Sequence, residues 1–362
     1  MKQIYCYGPE YYLAVPNVFI RMKKILIPFL FLFLGGCKSG RKLPDVSDIP
    51  VTVHVERFDQ AFFAIDTNAI SQGLLNLGRQ YPYFINDFAV NILGTSPLSD
   101  TSAQAFFACR SFISSYWPVK DSLDLKFSPN EGRIVQVENG LKKGFQFLRY
   151  YFPKYNLPPK VVAYIGPFDA PGVALTRYTL AIGLQLYAGK QFPFYLSQQG
   201  QELFPLYISR RFEPEYIVPN CMKSLAEDLF PDQSSGKPLI EQMVEKGKGW
   251  WLVDQLLPET ADSLKTGFSQ KQLNWCITNE GQIWNFFLEQ NLYTLEPDLI
   301  KNYIGDAPYT QGMPEASPGN IGQWVGLRIV QKYAALHPDF SPQQIMQTPD
   351  RVIFDESKYK PK

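Results

Sequence analysis

The segment KVVAYIG at residues 160–166 decides the fold class of this sequence. It is a short run rich in β-branched and aromatic residues, it follows two prolines and it ends at a glycine, which is the pattern of a buried strand. Two further strand-like runs follow at residues 173–175 and 179–187, with turn-forming residues between them. We therefore predict a small antiparallel or mixed sheet of three or four strands around residues 160–187.

Outside this region the apolar residues recur with helical spacing. Residues 57–117 carry three apolar stripes, and we expect Pro82, Pro97 and Pro118 to separate the helices. Ser269 and Gln272 have the spacing of a capping box, which predicts a helix from there to Phe287. Pro219 must begin or kink its helix. The predicted fold class is α+β, mostly helical, and its other helices lie at residues 131–151, 213–229, 236–257 and 318–329.

The N-terminal residues predict export. Lys23 and Lys24 precede an apolar run at residues 25–34, which is too short to span a bilayer but fits a secretory signal. Residues 1–36 are therefore predicted to be a signal peptide, and Met22 is the expected start. Residues 37–50 are expected to be an anchor and tether, followed by a single globular α+β domain at residues 51–362.

The sequence Leu34-Gly35-Gly36-Cys37 adds a lipid anchor to this prediction. Small residues directly before a cysteine resemble a lipobox, in which that cysteine receives a diacylglyceryl group and becomes the mature N-terminus. We therefore predict lipid attachment at Cys37, with insertion of the lipid into a membrane. The alternative is an ordinary signal peptide in which the cysteine is accidental.

Composition excludes several function classes. The 362 residues carry a net charge of +1, so no overall positive field would recruit nucleic acid, and none is expected as a partner. The only two histidines, His54 and His337, are too far apart for a local HExxH pair, and no CxxC occurs, so no metal or other cofactor is expected. Three further cysteines on apolar stripes are predicted to be buried free thiols, namely Cys109, Cys221 and Cys276.

Acidic residues near apolar helix faces are the candidates for chemistry, because a buried charge is costly unless it is paired or functional. Glu280 falls within the apolar face of its predicted helix, so we expect a raised pKa or an ion pair with a cation such as Arg328. Glu241 and Glu245 lie one helical turn apart, and such a pair either holds a metal or faces water.

Several short motifs after Cys37 are distinctive when taken together. They are Arg57-Phe58-Asp59, Phe194-Tyr195, residues 214–219, residues 256–264, Asn279-Glu280, Ile283-Trp284, Ser317-Pro318-Gly319 and Ile321-Gly322. Together these motifs resemble the gliding motility lipoprotein GldB family of Bacteroidota. The resemblance extends over the sequence after Cys37 and is most specific from Ile240 to Val330. It implies a lipoprotein on the periplasmic face of the outer membrane that works with other proteins of the gliding machinery.

That family is in turn distantly similar to zinc peptidases, whose core helix carries HExxH and whose third ligand is a glutamate on a later helix. The corresponding helix here, through residues 218–222, has no histidine, and Glu245 is the nearest match to the third ligand. The resemblance therefore implies a degenerate zincin-like peptidase scaffold without its metal.

Three functional hypotheses follow. The first is a non-enzymatic gliding component whose cleft contacts a peptide or a partner, with Tyr178, Trp250 and Trp251 as candidate contacts, although aromatic residues at helical spacing are more often in the core. The second is a hydrolase that uses carboxylates such as Glu245 and Glu280 on a peptide or glycan. The third is a solute-binding lipoprotein, which the missing repeated βαβ pattern disfavours.

Overall fold

The computed structural model describes residues 43–98 and 103–362. Residues Pro44–Lys362 form one compact unit. The predicted signal peptide, Cys37 and the first part of the tether lie outside the described residues. Among the described helices, none combines the length and apolar character that crossing a membrane requires.

One mixed sheet of four strands lies in the described part of the chain. Its strands are β1 (Val55–Arg57), β2 (Lys160–Tyr164), β3 (Val173–Leu175) and β4 (Thr179–Gly183), in the order β1-β2-β4-β3. β2 pairs in parallel with both β1 and β4, while β3 pairs antiparallel with β4. The small sheet predicted around residues 160–187 is thus confirmed, and of the two predicted arrangements it has the mixed one, but β1 comes from outside that region and was not predicted.

Helices make up most of the rest, as predicted. The sheet and helices together confirm the mostly helical α+β class. The α-helices of the described residues are α1 (Phe58–Phe63), α2 (Ile70–Gln80), α3 (Ile85–Asp87), α4 (Ala103–Lys126), α5 (Arg133–Tyr151), α6 (Pro193–Leu196), α7 (Gln198–Leu203), α8 (Leu206–Ser209), α9 (Ile217–Leu229), α10 (Leu239–Leu256), α11 (Asp262–Thr266), α12 (Gln270–Thr278), α13 (Glu280–Glu289), α14 (Pro297–Ile304), α15 (Ile321–Leu336), α16 (Pro342–Gln347) and α17 (Asp350–Ser357).

The expected break at Pro118 is wrong, because α4 continues through this proline. Proline cannot donate a backbone hydrogen bond to the carbonyl four residues earlier, which here belongs to Ser114. Ser114 is exposed, so water can bind that carbonyl. Pro82 and Pro97 do lie between helices, and Pro219 falls in the first turn of α9, where the missing N–H is not needed.

The helix predicted from Ser269 to Phe287 is two helices. Ser269 and Gln272 form the predicted capping box at the start of α12. Asn279 then ends α12, because its backbone leaves the helical conformation and its side-chain Nδ2 donates to the carbonyl of Trp275 at 2.8 Å. α13 begins at the next residue, Glu280.

The core beside the sheet is aromatic. The ring of Phe58 lies edge-on to Phe84 and Phe88, with centroid distances of 4.9 and 4.8 Å, and Tyr164 of β2 joins the same cluster at 5.9 Å from Phe84. Edge-to-face pairs at such distances add to the free energy gained from apolar burial. The three predicted free thiols are confirmed as free and buried.

Candidate functional site

A concave surface surrounds Phe230, which follows the end of α9. Three adjoining cavities of about 220, 440 and 600 Å³ have Phe230 in their walls, and we call them together the Phe230 groove. Residues of α9, α10, α15, α16 and α17 line it, together with the chain segments that follow α5, α9 and α16. On one side the ring of Phe230 packs on Phe152, with a centroid distance of 5.6 Å.

A cluster of two carboxyl groups and two lysines, of which Lys237 is partly exposed, forms part of this groove. Lys248 Nζ donates to Glu245 Oε2 at 2.8 Å and to Asp350 Oδ1 at 2.9 Å, and Lys237 Nζ donates to Asp350 Oδ2 at 2.9 Å. Lys248 and Asp350 are almost fully buried, with side-chain exposures of 7% and 2%. Opposite charges balance within the cluster, which offsets the cost of burying them.

The two carboxyl groups of the cluster also influence each other's pKa. Burial and the adjacent Asp350 raise the pKa of Glu245, against the effect of Lys248. Burial alone would raise the pKa of Asp350, but hydrogen bonds from Glu245, Lys237 and Lys248 bring it below its ordinary value. Protonation is therefore favoured at Glu245 over Asp350.

A second charged group, Lys223 of α9, lines the cavity of about 220 Å³. This lysine is half-buried, and among the described residues no carboxylate lies within 4.0 Å of its Nζ. Burial, with a smaller contribution from Arg211, lowers its pKa to about 8. Trp250 and Gln323 line the same cavity, so its wall has both apolar and polar surface.

Glu280 and Arg328 form the ion pair that the sequence predicted. Arg328 Nε donates to Glu280 Oε1 at 2.8 Å and Nη2 to Oε2 at 3.3 Å, and the hydroxyl of Tyr359 donates to the same Oε1 at 2.8 Å. Burial and this carboxylate raise the pKa of Tyr359. Arg328 lines a separate cavity of about 290 Å³, with Trp324 beside it.

The remaining candidate residues do not converge on one site. Tyr178 lies between β3 and β4, is 47% exposed, and has the guanidinium of Arg177 over its ring at 5.3 Å. Glu241 is half-buried on α10 and does not line the Phe230 groove. Trp251 is buried in the core, whereas Trp250 lines both the groove and the Arg328 cavity. Within the described residues, no hydrogen bond or ion pair joins Glu245 to Glu280.

No set of three or more His, Cys, Asp or Glu side chains suited to a metal ion occurs within residues 43–98 and 103–362. In the charged cluster of the groove, lysine nitrogens contact both oxygens of Asp350 and one oxygen of Glu245. This arrangement pairs the two carboxyl groups with lysine charges.

Sequence reasoning missed Lys223, Phe230 and Asp350. A signal for Lys223 was present, because it shares a helical stripe with Pro219, Ala226 and Phe230 and is the one charged residue among them. No comparable signal existed for Asp350, whose partner Lys248 is 102 residues away in the sequence.

Comparison with protein families gives one result. A lipoprotein family model described as gliding motility protein GldB matches residues 39–361. The chain belongs to this family, as the motifs predicted, and the family has a role in gliding motility. No curated protein and no solved structure matches the chain.

Proposed function

We propose that this member of the gliding motility protein GldB family acts without catalysis, as a lipid-anchored protein that binds a peptide segment of a partner in the Phe230 groove. The lipid is on Cys37, and the domain faces the periplasm from the outer membrane. The partner is another protein of the gliding machinery, which the family membership supports in general terms.

The observation that carries this proposal is the pairing of the candidate acids. Glu280 is held by Arg328 and Tyr359, Glu245 by Lys248, and the neighbouring Asp350 by two lysines. A general base must be free to come within hydrogen-bond reach of a substrate proton. Side chains whose oxygens are already bound in ion pairs are better suited to holding helices in position than to transferring protons to or from a substrate.

The shape of the groove supports a peptide as the occupant. Its largest cavity, of about 600 Å³, has the aromatic residues Phe152, Tyr155 and Phe230 in its wall, and it adjoins two smaller cavities rich in charged residues. Peptide sites combine apolar pockets for side chains with polar groups that fix orientation. A groove subdivided in this way suits successive side chains of an extended segment.

A hydrolase remains the second candidate, and one observation favours it. Glu245 and Asp350 line the groove and shift each other's pKa in opposite directions, as paired carboxyl groups do in some hydrolases. The lysines on Asp350 count against it, since they hold that carboxylate in its charged form. Solute binding receives less support, because Pro44–Lys362 form one compact unit rather than two lobes.

Gly249 offers a direct test of the groove. It lines the cavity of about 220 Å³, and a methyl group added there would meet no atom within 4 Å. Gly249→Phe should therefore fill the cavity while the protein folds normally, and gliding should be lost. Gly249→Ala is the matched control and should glide normally.

A photo-crosslinking amino acid at the exposed Gln347, in the wall of the groove, then reports occupancy in living cells. We expect an adduct with a specific envelope protein in the Gly249→Ala background and its loss in the Gly249→Phe background. Normal gliding of cells with a stable, normally abundant Gly249→Phe protein would overturn the proposal.

A further inference from the structure

We propose that Lys223 is the anion-binding group of the Phe230 groove, and that its amine receives a carboxylate of the bound peptide. This inference rests on the proposed function, because it specifies the chemistry of the segment that the groove takes. The carboxylate can belong to a chain terminus or to an acidic side chain.

The balance of charges in the cavity points to an anion. Lys246 is paired with Asp232 across the cavity, and Glu245 is paired with Lys248. Lys223 is the lysine of this cavity that has no carboxylate within 4.0 Å among the described residues. A buried cation is costly until an anion or a hydrogen-bond acceptor meets it, so a ligand carboxylate would remove that cost.

Glu227 is the obvious internal partner, since it lies one helical turn after Lys223 on α9 and lines the same cavity. Its Oε1 instead accepts a hydrogen bond from the backbone N–H of Asp232 at 3.1 Å. That bond directs Glu227 to the loop after α9. Arg211 is bound to Asp306 at 3.3 Å, so this second nearby carboxylate is also occupied.

The chemistry of the amine agrees with this geometry. The pKa of Lys223 is lowered to about 8 mainly by burial, which means that the charged form lacks compensation in the unliganded protein. A carboxylate bound to the amine would favour the charged form and raise this pKa again. Ligand binding at Lys223 is therefore coupled to uptake of a proton near pH 8.

The size of the cavity identifies the ligand as part of a larger molecule. A volume of about 220 Å³ is below the roughly 300–1,000 Å³ of sites that enclose a whole small ligand. It accommodates one residue, and the adjoining cavities take what is attached to it. Trp250, Val253 and Met346 provide apolar wall for the body of that residue.

The test uses the purified full chain and two pairs of peptides that differ only in charge. Acetyl-Ala-Ala-Leu is compared as the free acid and as the amide, and acetyl-Ala-Glu-Ala-amide is compared with acetyl-Ala-Gln-Ala-amide. Dissociation constants at pH 7 are measured by calorimetry. We expect the acid of one pair to bind at least about tenfold more tightly than its neutral partner, and the pair that shows the preference identifies the source of the carboxylate.

Lys223→Met should abolish this preference, because it removes the amine but keeps an unbranched apolar side chain. Lys271→Met removes an exposed lysine of α12 outside the groove and should retain the preference. Equal binding of acid and neutral peptides in both pairs would overturn the inference, as would a preference that survives Lys223→Met.

These outcomes separate the inference from the proposed function. Loss of gliding in Gly249→Phe without any acid preference would leave the groove functional and contradict the role of Lys223. A Lys223-dependent acid preference together with normal gliding of Gly249→Phe would support the role of Lys223 and contradict the function proposed for the groove.

Discussion

Gly247 and Gly326 face each other where α10 crosses α15, and a methyl group added to Gly247 would lie only 2.1 Å from the carbonyl carbon of Gly326. The two backbones therefore touch. This contact sets the positions of charged residues as well as of the core. Glu245 and Lys248 lie close to Gly247 on α10, and Arg328 follows Gly326 by two residues on α15. The helix crossing thus determines which side chains reach the groove and which reach the Arg328 cavity.

Gly326→Ala should destabilise the protein by about 3 kcal/mol, because overpacking forces the helices apart. The added methyl group would lie 1.7 Å from the carbonyl oxygen of Met243. Urea unfolding measures the loss. Gly78→Ala in α2 is the control, since its new methyl group would meet only Ile85 at 3.9 Å, and it should be neutral or slightly stabilising. Equal stability of the two variants would contradict the close crossing.

Asp350→Asn should cost about 3–5 kcal/mol, because it leaves the buried cation of Lys248 without its main charged partner. The loss is measured as a shift of the urea midpoint at pH 7. Asp355→Asn breaks an exposed pair with Arg351 on the same helix and should leave the midpoint unchanged. Tolerance of both substitutions would show that the cluster does not stabilise the fold.

Lys223 predicts a specific pH dependence of stability. Its pKa is about 8 in the folded protein against an ordinary value of 10.5, so between these pH values the unfolded chain binds more protons than the folded protein does. The free energy of unfolding contributed by Lys223 must then rise with pH through this window. The difference in unfolding free energy between the natural protein and Lys223→Met should increase from pH 7.5 to pH 10. A difference that falls or stays constant would contradict the burial of this amine.

Much of the fold could be predicted because its signals are local. The strand at residues 160–164, the capping box at Ser269 and the apolar stripe of α9 each depend on neighbours a few residues away. The strand β1 also had a local signal, since valines alternate at positions 51, 53 and 55, but it is only three residues long. Its pairing with β2 involves residues more than 100 positions away, which no local pattern reveals.

The candidate site was less predictable, because most of its contacts join residues that are far apart in the sequence. The pairing of Glu280 with Arg328 could be predicted because both lie near apolar stripes of their helices, and each needed a partner of opposite charge. The cluster of Asp350, Lys248 and Lys237 combines distant helices and a loop, and the cavity beside Lys223 exists only after α9 and α10 have packed. Such sites depend on tertiary structure rather than on spacing in the sequence.

Cys37→Ala should yield a protein that carries no lipid, because the thiol is the predicted attachment point and lies directly after small residues. Metabolic labelling with a radioactive fatty acid measures this. Cys276→Ala removes a buried thiol of α12 and should retain the label. Label on the Cys37→Ala protein would contradict the anchor.

The most direct measurement for the central claim is the gliding of cells whose only copy carries Glu245→Gln. A catalytic carboxyl group replaced by its amide typically loses about 100-fold or more in rate. Burial and Asp350 raise the pKa of Glu245 and so favour its neutral form, which the amide resembles, and the substitution should therefore preserve the packing.

Glu280→Gln is measured beside it. This substitution should lower the free energy of unfolding by about 1–2 kcal/mol, because it weakens the partly exposed pair with Arg328. Trp324→Ala is the control for loss of the folded protein. It removes a buried side chain, which should lower the free energy of unfolding by about 3–5 kcal/mol and abolish gliding because little protein remains.

We expect Glu245→Gln cells to glide at normal speed with normal amounts of protein. A Glu245→Gln protein of normal abundance and thermal midpoint in cells that cannot glide would contradict the non-catalytic account.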